Sequence, residues 1–434
     1  MSTQTQGPAH GGAKTQEPAS DPARAQTPGA APPAVPAQPR PAVALDGVPA
    51  EEGLALLAEH TGETAGPDPA GLLSALSGFP APERAGRGAP WARPLGRPLS
   101  AAEVAVRARA ADKVHVLELL RAAGVAAPDP VVVPAEGRRP AAAYWRDGWT
   151  GAVLQRRAGG LAGRGTVPVG DARELAAALD AWPGEALRLT RLVPGLSLTV
   201  SACVGGDRTV VSALAHRLVG LPELTPGWGT HCGDQLIGPG DLPGGRYARV
   251  REAAHAVGEV LRERGFRGAF GLDLLLDGDA VLAVGVESGP RPVSALVQAA
   301  EHAAGLLPAP GLELLARLLP ALPATRPSTA PVPHLSHLVV HASRPARLTK
   351  LPSPGRYRLG RPGPEPVGVC APPEPADDEA LWWPQAAPGP VAAGDELLLM
   401  RFGRRVCPLE PRPPLGPTAR AWRDSAARAL GGTA

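Results

Sequence analysis

Two carboxylates lie inside apolar runs that a short polar turn joins. The stretch from Gly265 to Pro292 reads GFRGAFGLDLLLDGDAVLAVGVESGPRP and contains Asp273 and Glu287. A carboxylate buried among leucines is unfavourable unless a cation meets it. Carboxylate oxygens suit hard cations such as Mg2+. The pair therefore predicts a cationic partner and makes a metal site one candidate.

The two carboxylates share a face of the hairpin only if the connecting loop has an odd number of residues, because side chains alternate along a strand. With a loop of residues 278–280, Asp273 faces Gly285 and Glu287 faces Gly271. The carboxylates are then diagonal neighbours with Cβ atoms about 7 Å apart, and the glycines leave room between them. An ordinary hairpin with one exposed polar face explains the same pattern equally well.

A glycine-rich loop and a lysine could bind phosphate. Four glycines follow an apolar strand, with arginines before and within the loop: Gly159, Gly160, Gly163 and Gly165, with Arg156, Arg157 and Arg164. Backbone amides of such a loop can surround a phosphate, although a chain with 53 glycines forms such clusters by chance. The loop is neither a Walker A motif nor a Rossmann fingerprint, because no Lys-Ser/Thr follows it and it opens no helix. Lys113 follows Asp112 at a predicted helix start and is either a phosphate contact or a solvated helix residue.

Histidines near the C-terminal region invite a metal-site interpretation, which the sequence disfavours. They are His334, His337 and His341. On a strand the last two share a face, but neither a carboxylate nor a cysteine accompanies them in the segment. Glu223, His231 and Asp234, in GLPELTPGWGTHCGDQL, are polar candidates without an assigned role. No serine or cysteine occupies a nucleophile elbow.

The elements that would position these residues alternate between helices and strands, which predicts an α/β (α+β) fold. Ser100 and Glu103 form a capping box, and Asp112 can cap a second helix or renew the first. PVVVP, GAVLQRR, LRLTRLVPG and LSLTVSACV read as strands, the last two broken at Pro194-Gly195. Helices are predicted at 173–181 and 251–264, the second just before the carboxylate hairpin.

Composition divides the chain into five segments. We expect a disordered Pro/Ala/Gly-rich tail at 1–42, a small N-terminal lobe at 43–98, a central domain at 99–305, a Pro-rich linker at 306–333 and a β-rich region with a terminal helix at 334–434. The net charge of +3 and the lack of basic runs with aromatics argue against nucleic acid. No apolar run reaches the roughly 18 residues of a membrane span, and no signal peptide is visible. Four scattered cysteines and the preference for arginine over lysine favour a cytoplasmic, bacterial protein.

Taken in order, the segments from 99 to 305 resemble the ATP-grasp superfamily, which includes biotin carboxylase, D-alanine–D-alanine ligase and carbamoyl phosphate synthetase. The resemblance rests on ADKVHVLELLRAAGVAAPDPVVVP, VLQRRAGGLAGRG, RLTRLVPGLSLTVSACV and the hairpin itself. The hairpin is similar to the family's paired metal-binding strands, Gly-x-Asp/Glu-Phe-Leu followed by Glu-x-Asn-Pro-Arg. This resemblance implies an ATP-grasp fold, in which two α+β subdomains clasp a nucleotide.

The resemblance also implies roles for individual residues. Lys113 would contact the ATP phosphates, and either Gln155 or Arg156 would replace the family's second lysine, since only one of two adjacent strand residues can face the nucleotide. The loop from Gly159 to Gly165 would be the lid, and the adenine hinge would be Arg191, Leu192 and Val193. Asp273 and Glu287 would bind Mg2+ that bridges the phosphates. Arg291 would contact an acidic substrate or the transferred phosphoryl group, with Arg164 of the lid as the other candidate catalytic residue.

Three features depart from the family pattern. Gly289 replaces the asparagine ligand, the second lysine is Gln or Arg, and Thr190 and Arg191 replace acidic residues before the hinge. The resemblance implies an ATP-dependent ligase that activates a small-molecule or peptide carboxylate as an acyl phosphate for attack by an amine. The alternative is a degenerate nucleotide-binding protein with a regulatory or scaffold role. A dehydrogenase that binds NAD is disfavoured, because no strand–GxGxxG–helix unit is present.

Overall fold

The computed structural model describes residues 43–61, 101–157, 165–289, 294–360, 363–369 and 374–431. The helices in these ranges are Ala50–Thr61 (α1), Ala101–Ala111 (α2), Val116–Ala122 (α3), Ala172–Asp180 (α4), Arg246–Glu263 (α5), Ser294–Ala303 (α6), Ala309–Leu318 (α7) and Pro417–Ala429 (α8). The strands are Leu45–Gly47 (β1), Val131–Val133 (β2), Ala152–Arg156 (β3), Thr166–Val169 (β4), Leu187–Arg191 (β5), Leu196–Val204 (β6), Thr209–Val219 (β7), His231–Ile237 (β8), Gly268–Asp277 (β9), Ala280–Ser288 (β10), Arg326–Ser328 (β11), Ser336–His341 (β12), Ala346–Leu348 (β13), Gly355–Leu359 (β14), Pro364–Gly368 (β15), Glu379–Pro384 (β16), Gly389–Val391 (β17) and Glu396–Phe402 (β18).

Two antiparallel sheets hold most of these strands. The large sheet has ten strands in the order β10-β9-β6-β7-β8-β12-β18-β16-β14-β15. The small sheet has four strands in the order β2-β5-β3-β4. The combination of helices with these sheets confirms the predicted α/β (α+β) class. The predicted tail at 1–42, Ser100 and the part of the N-terminal lobe from 62 to 98 lie outside the described residues.

The amphipathic helix α5 covers one face of the large sheet. Its buried residues recur every three or four positions: Tyr247, Val250, Ala254, Val257, Gly258 and Leu261. They share a core cluster with Leu272 and Leu274 of β9. Because side chains alternate along a strand, Asp273 between these leucines points to the opposite face of the sheet. The helix begins five residues before the predicted start, directly after Gly245, whose φ of 76° is left-handed.

The helix α4 covers the outer face of the small sheet and agrees with the predicted helix to within one residue at each end. Asp171 caps it by accepting a hydrogen bond of 2.8 Å from the Glu174 backbone N–H. Leu175 and Leu179 pack in one core cluster with Leu154 of β3. The opposite face of the small sheet therefore carries the alternate residues of β3 and β5.

One prediction about the C-terminal half needs correction. The segment predicted as a Pro-rich linker, 306–333, contains the helix α7, in which Leu312 and Leu315 are buried. Prolines 308 and 310 do not prevent this helix, because the first turn tolerates proline. Beyond it, β12 pairs with β8, so the β-rich region continues the large sheet.

The chain passes from the small sheet to the large sheet through Pro194-Gly195. A Cβ atom on Gly195 would lie 2.8 Å from the carbonyl oxygen of Leu276 in β9. Real Cβ atoms do not approach a backbone oxygen so closely. The connection between the two sheets therefore requires glycine at this position.

We expect Gly195→Ala to lower the free energy of unfolding by about 1–3 kcal/mol, because overpacking against a backbone atom forces the chain to shift. Gly240→Ala is the matched control, since nothing lies within 4 Å of the added Cβ atom there. Its effect should stay within about 0.5 kcal/mol. Denaturant unfolding followed by circular dichroism measures both. Equal stability of the two variants would contradict the assigned close approach.

Candidate functional site

The turn of the carboxylate hairpin is shorter than the sequence predicts. Asp277 pairs with Ala280, so the loop has two residues, Gly278 and Asp279, rather than three. Gly278 has a φ of 58°, which a tight hairpin turn with glycine at its first central position needs. Asp279 Oδ1 accepts hydrogen bonds of 2.9 Å from Arg246 and from Arg249 of α5. These contacts fasten the turn to the helix.

A β-bulge restores the register that the three-residue loop would have given. The pairing shifts between Ala283 and Gly285, which leaves Val284 as the extra residue. Beyond the bulge Asp273 pairs with Gly285, and Glu287 pairs with Gly271. Both carboxylates therefore lie on one face of the hairpin, with a glycine opposite each.

Arginine 188 holds the bulge from the small sheet. Arg188 donates to the Val284 carbonyl oxygen at 2.6 Å, and it is buried, with 1% of its surface exposed. It also donates through Nε, at 3.1 Å, and through Nη2 to Gln155 Oε1. Burial lowers the Arg188 pKa to about 10. The guanidinium thus joins the inner face of the small sheet to β10.

Lysine 113 lies over the glycine between the carboxylates. A Cβ atom on Gly285 would lie 3.1 Å from Lys113 Nζ, and the direction of that Cβ atom is the face of Asp273. The Lys113 backbone N–H donates to the Arg157 carbonyl oxygen at 3.0 Å. The structure thus brings Lys113 to the same small area as Asp273 and Glu287.

The turn that carries Lys113 is fixed by its neighbour Asp112. The Asp112 carboxylate accepts hydrogen bonds from Arg157 Nε at 2.6 Å, from the Val114 N–H at 2.9 Å and from the His115 N–H at 3.0 Å. Burial raises the Asp112 pKa, but these hydrogen bonds outweigh burial and lower the pKa to about 2. Asp112 thus fixes the turn that precedes α3 and ties it to the end of β3, but the helix itself begins at Val116, four residues later than the predicted start.

The cation that the sequence requires for Asp273 is Arg217 of β7. Arg217 Nη1 lies 3.1 Å from Asp273 Oδ1, and each side chain is 13% exposed. Sequence reasoning missed Arg217. The available signal was one arginine in the apolar run TVVSALAHRLV, but its pairing with Asp273 depends on the strand order of the sheet.

The choice between Gln155 and Arg156 follows from the two faces of the small sheet. Arg156 forms a two-point ion pair with Glu185, at 2.8 Å and 2.6 Å, and its Cδ would lie 2.9 Å from a Cβ atom on Gly165. It belongs to the face of Leu154, which α4 covers. Gln155 lies on the other face beside Arg188, and that face is turned towards β10. A nucleotide role for either residue stays a prediction.

Two of the three predicted adenine-hinge residues already use their backbone N–H groups within the chain. The Arg191 N–H donates to the Pro128 carbonyl oxygen at 3.0 Å, and the Leu192 N–H donates to the Gly151 carbonyl oxygen at 2.9 Å. Arg191 also pairs with Asp129 through its side chain at 3.0 Å, and Val193 is buried. Five further predicted site residues lie outside the described ranges: Gly159, Gly160, Gly163, Arg164 and Arg291.

A cluster of two histidines and a carboxylate lies farther along the same face of the large sheet. Asp234 of β8 is the cross-strand partner of Arg217 on one side and of His337 on the other. Its Oδ2 atom lies 2.8 Å from His231 Nε2 and 3.4 Å from His337 Nε2. The segment of His337 contains no carboxylate, as the sequence showed, but strand pairing supplies one. Burial acts to raise the Asp234 pKa. The neighbouring histidines and Arg217 outweigh burial, so that the pKa is lowered overall.

Comparison with solved structures finds likeness in arrangement at low sequence identity. Matches include an N5-carboxyaminoimidazole synthase from Aspergillus clavatus in complex with ADP and 5-aminoimidazole ribonucleotide (12% identity, 69% of this chain and 70% of that chain, TM-score 0.48). An L-amino acid ligase from Bacillus licheniformis matches with 11% identity, 72% of each chain and a TM-score of 0.49. Biotin carboxylase from Campylobacter jejuni matches with 16% identity, 69% of this chain and 64% of that chain, and a TM-score of 0.45. At these values the likeness carries no statement about activity or substrate.

No protein-family model and no curated protein sequence matches the chain. Among the described residues, no helix is both long enough and apolar enough to cross a membrane.

A buried acid adjoins the end of the carboxylate hairpin. Glu301 of α6 lines a cavity of about 20 Å³ together with Ser201 and Gly289, which is room for one water molecule. Glu301 accepts hydrogen bonds from Ser212 Oγ at 2.5 Å and from the Ala309 N–H at 2.7 Å. Burial raises its pKa to about 7, although the two hydrogen bonds act in the opposite direction.

The raised pKa predicts a pH-dependent stability. Because folded Glu301 binds its proton more tightly than unfolded Glu301, this stabilisation is complete below about pH 4.5 and is lost as the pH rises to about 7. We expect the unfolding free energy of the wild type, relative to Glu301→Gln, to fall by about 2–4 kcal/mol across this interval. Denaturant unfolding at a series of pH values measures the difference. Parallel pH profiles of the two proteins would show that Glu301 titrates normally.

Proposed function

We propose that the chain is an ATP-dependent ligase of the ATP-grasp kind, which activates a carboxylate for attack by an amine. The observation that carries the proposal is the convergence of four charged side chains on the hairpin. Asp273 and Glu287 share a face opposite Gly285 and Gly271, and Lys113 lies over Gly285. Arg217 of β7, two strands away in the sheet, pairs with Asp273.

The carboxylate pair fits a hard cation such as Mg2+. Both groups are held on a β-ribbon, no side chain projects from the glycines opposite them, and carboxylate oxygens are the ligands that Mg2+ takes in proteins. Such an ion has to share or replace the Arg217 contact of Asp273. Gly289 offers no ligand where the family has asparagine, and Mg2+ commonly retains water at such positions.

The chain's own residues would act by positioning and by charge compensation. MgATP would supply the phosphoryl group and the divalent charge. Lys113 would neutralise phosphate charge next to the carboxylates, and Asp112 would hold Lys113 in place through the turn. Gln155 would face the nucleotide from the small sheet. The substrate carboxylate would take up the phosphoryl group, and an amine would then displace phosphate from the acyl phosphate.

Specific observations favour a second candidate, a nucleotide-binding protein without turnover. Arg188 occupies space between the two sheets at Gln155. The N–H groups of Arg191 and Leu192 already donate within the chain. Both features leave fewer groups for a nucleotide than the family pattern implies. The ligase remains our proposal because the carboxylates, Lys113 and Arg217 are all in place.

One experiment separates the two candidates. Isothermal titration of MgATP into the full chain is followed by an ADP-release assay with mixed carboxylates and amines. We expect binding, and ADP release that requires both a carboxylate and an amine. Binding without stimulated ADP release would favour the second candidate, and absence of binding would reject both.

Substitution of the carboxylates tests the metal assignment. We expect Asp273→Asn and Glu287→Gln each to abolish the magnesium dependence of ATP binding, because each removes one anionic ligand while keeping the side-chain volume. Asp277→Asn is the matched control, since this carboxylate is exposed on the same strand, β9. Titration of ATP with and without Mg2+ measures the effect. Unchanged magnesium dependence in Glu287→Gln would exclude the carboxylate pair as the metal site.

A further inference from the structure

Three potential metal ligands from two neighbouring strands converge inside the large sheet. His231 and Asp234 belong to β8, and His337 belongs to β12. They are 8%, 0% and 2% exposed. One ligand atom of each lies within 4.8 Å of the other two. None of the three is needed by the ligase that we propose, and the sequence assigned them no role.

We propose that His231, Asp234 and His337 form a binding site for a divalent transition-metal ion of the zinc class. The ligand set decides the class of ion. Zinc takes histidine nitrogen together with carboxylate oxygen, whereas Mg2+ and Ca2+ take oxygen ligands almost exclusively. With three protein ligands, the fourth position of a tetrahedral ion is open to solvent or to a substrate group.

The distances are close to those of a liganded site. Zinc bonds of 2.0–2.2 Å place the ligand atoms of a tetrahedral site about 3.4 Å apart. The Asp234 Oδ2–His337 Nε2 distance is 3.4 Å, and the Asp234 Oδ2–His231 Nε2 distance is 2.8 Å. A small rotation of the His231 ring, which lies 5.6 Å from the His337 ring between centroids, would bring the second distance to the same value.

Two atoms of the cluster have no hydrogen-bond partner among the described residues. They are Asp234 Oδ1 and His337 Nε2, and both are buried. An unsatisfied buried polar atom costs about 1–3 kcal/mol, so native proteins rarely keep one without a reason. The hydrogen bond between His231 and Asp234 uses only Asp234 Oδ2, so it leaves both Asp234 Oδ1 and His337 Nε2 without a hydrogen bond. A metal ion bound by all three side chains would give His337 Nε2 a partner.

The surrounding charges permit a cation. Two arginines act on the cluster, Arg217 and Arg401. Each forms an ion pair with a carboxylate, Arg217 with Asp273 and Arg401 with Glu374. These arginines therefore neutralise the negative charge of Asp234 only in part.

The cluster lies where a bound ion would connect two parts of the large sheet. His337 and Asp234 are directly opposed where β12 pairs with β8, which is the joint between the C-terminal strands and the rest of the large sheet. An ion bound there would tie the two parts together. Zinc binding to the folded chain would therefore raise its thermal stability by mass action.

Metal titration of the full chain without a histidine tag tests the proposal. After treatment with a chelator, the protein is titrated with Zn2+ or Co2+, and metal content, thermal unfolding and the visible Co2+ spectrum are recorded. We expect one ion per chain, a higher unfolding temperature and the absorption bands of four-coordinate Co2+. The result with the wild-type protein is sufficient by itself to overturn the proposal. No retained ion, or a spectrum of six-coordinate Co2+ only, would do so.

Two conservative variants locate the ion. Asp234→Asn and His337→Gln should each weaken metal binding by more than about 100-fold, since even residues behind the ligands contribute about 10–100-fold. His334→Gln is the matched control, because His334 is exposed and lies three residues before His337. Glu287→Gln should keep the zinc, so failure of the proposed function and failure of this site remain distinguishable. Wild-type affinity in folded His337→Gln, verified by circular dichroism, would show that the metal binds elsewhere.

Discussion

The charge of Asp273 has to be balanced inside the large sheet, and Arg217 balances it from two strands away. A largely buried carboxylate without a cation is strongly unfavourable, so an apolar residue at 217 would destabilise the ribbon. The pair neutralises Asp273 within the protein itself. It would also set the cost of metal binding at the proposed site, because an incoming cation would have to compete with a guanidinium that is already in place.

The bulge at Val284 is the second constraint, because it decides which residues Asp273 and Glu287 oppose. Without the extra residue, the two-residue turn would pair Asp273 with Val284 and place Glu287 on the other face. Arg188 stabilises the bulge by binding the Val284 carbonyl oxygen, and the Ala283 N–H donates to the Ala126 carbonyl oxygen at 2.7 Å. The geometry of the metal-binding candidates thus depends on the small sheet as well as on the hairpin.

Sequence patterns predicted the local elements well and the long-range neighbours poorly. The hairpin register at the carboxylates was correct although the turn was not, because the shorter turn and the bulge each change the pairing by one residue. The residues that meet across strands escaped prediction: Arg217 with Asp273, and His231 and Asp234 with His337. Those contacts depend on the order β9-β6-β7-β8-β12, which no local pattern contains. The helix α7 escaped for a different reason, since proline content masked an apolar helical repeat.

Strand order also makes Arg217 a shared residue. It pairs with Asp273 on one side, and on the other it is the cross-strand partner of Asp234, whose pKa it helps to lower. A cation bound to Asp273 would displace the Arg217 guanidinium, which could then interact more strongly with Asp234. An ion bound by Asp234 would in turn favour the ion pair between Arg217 and Asp273. Because one positive charge serves two carboxylates, a cation at the proposed hairpin site and an ion at the proposed histidine site would act on each other through a single side chain.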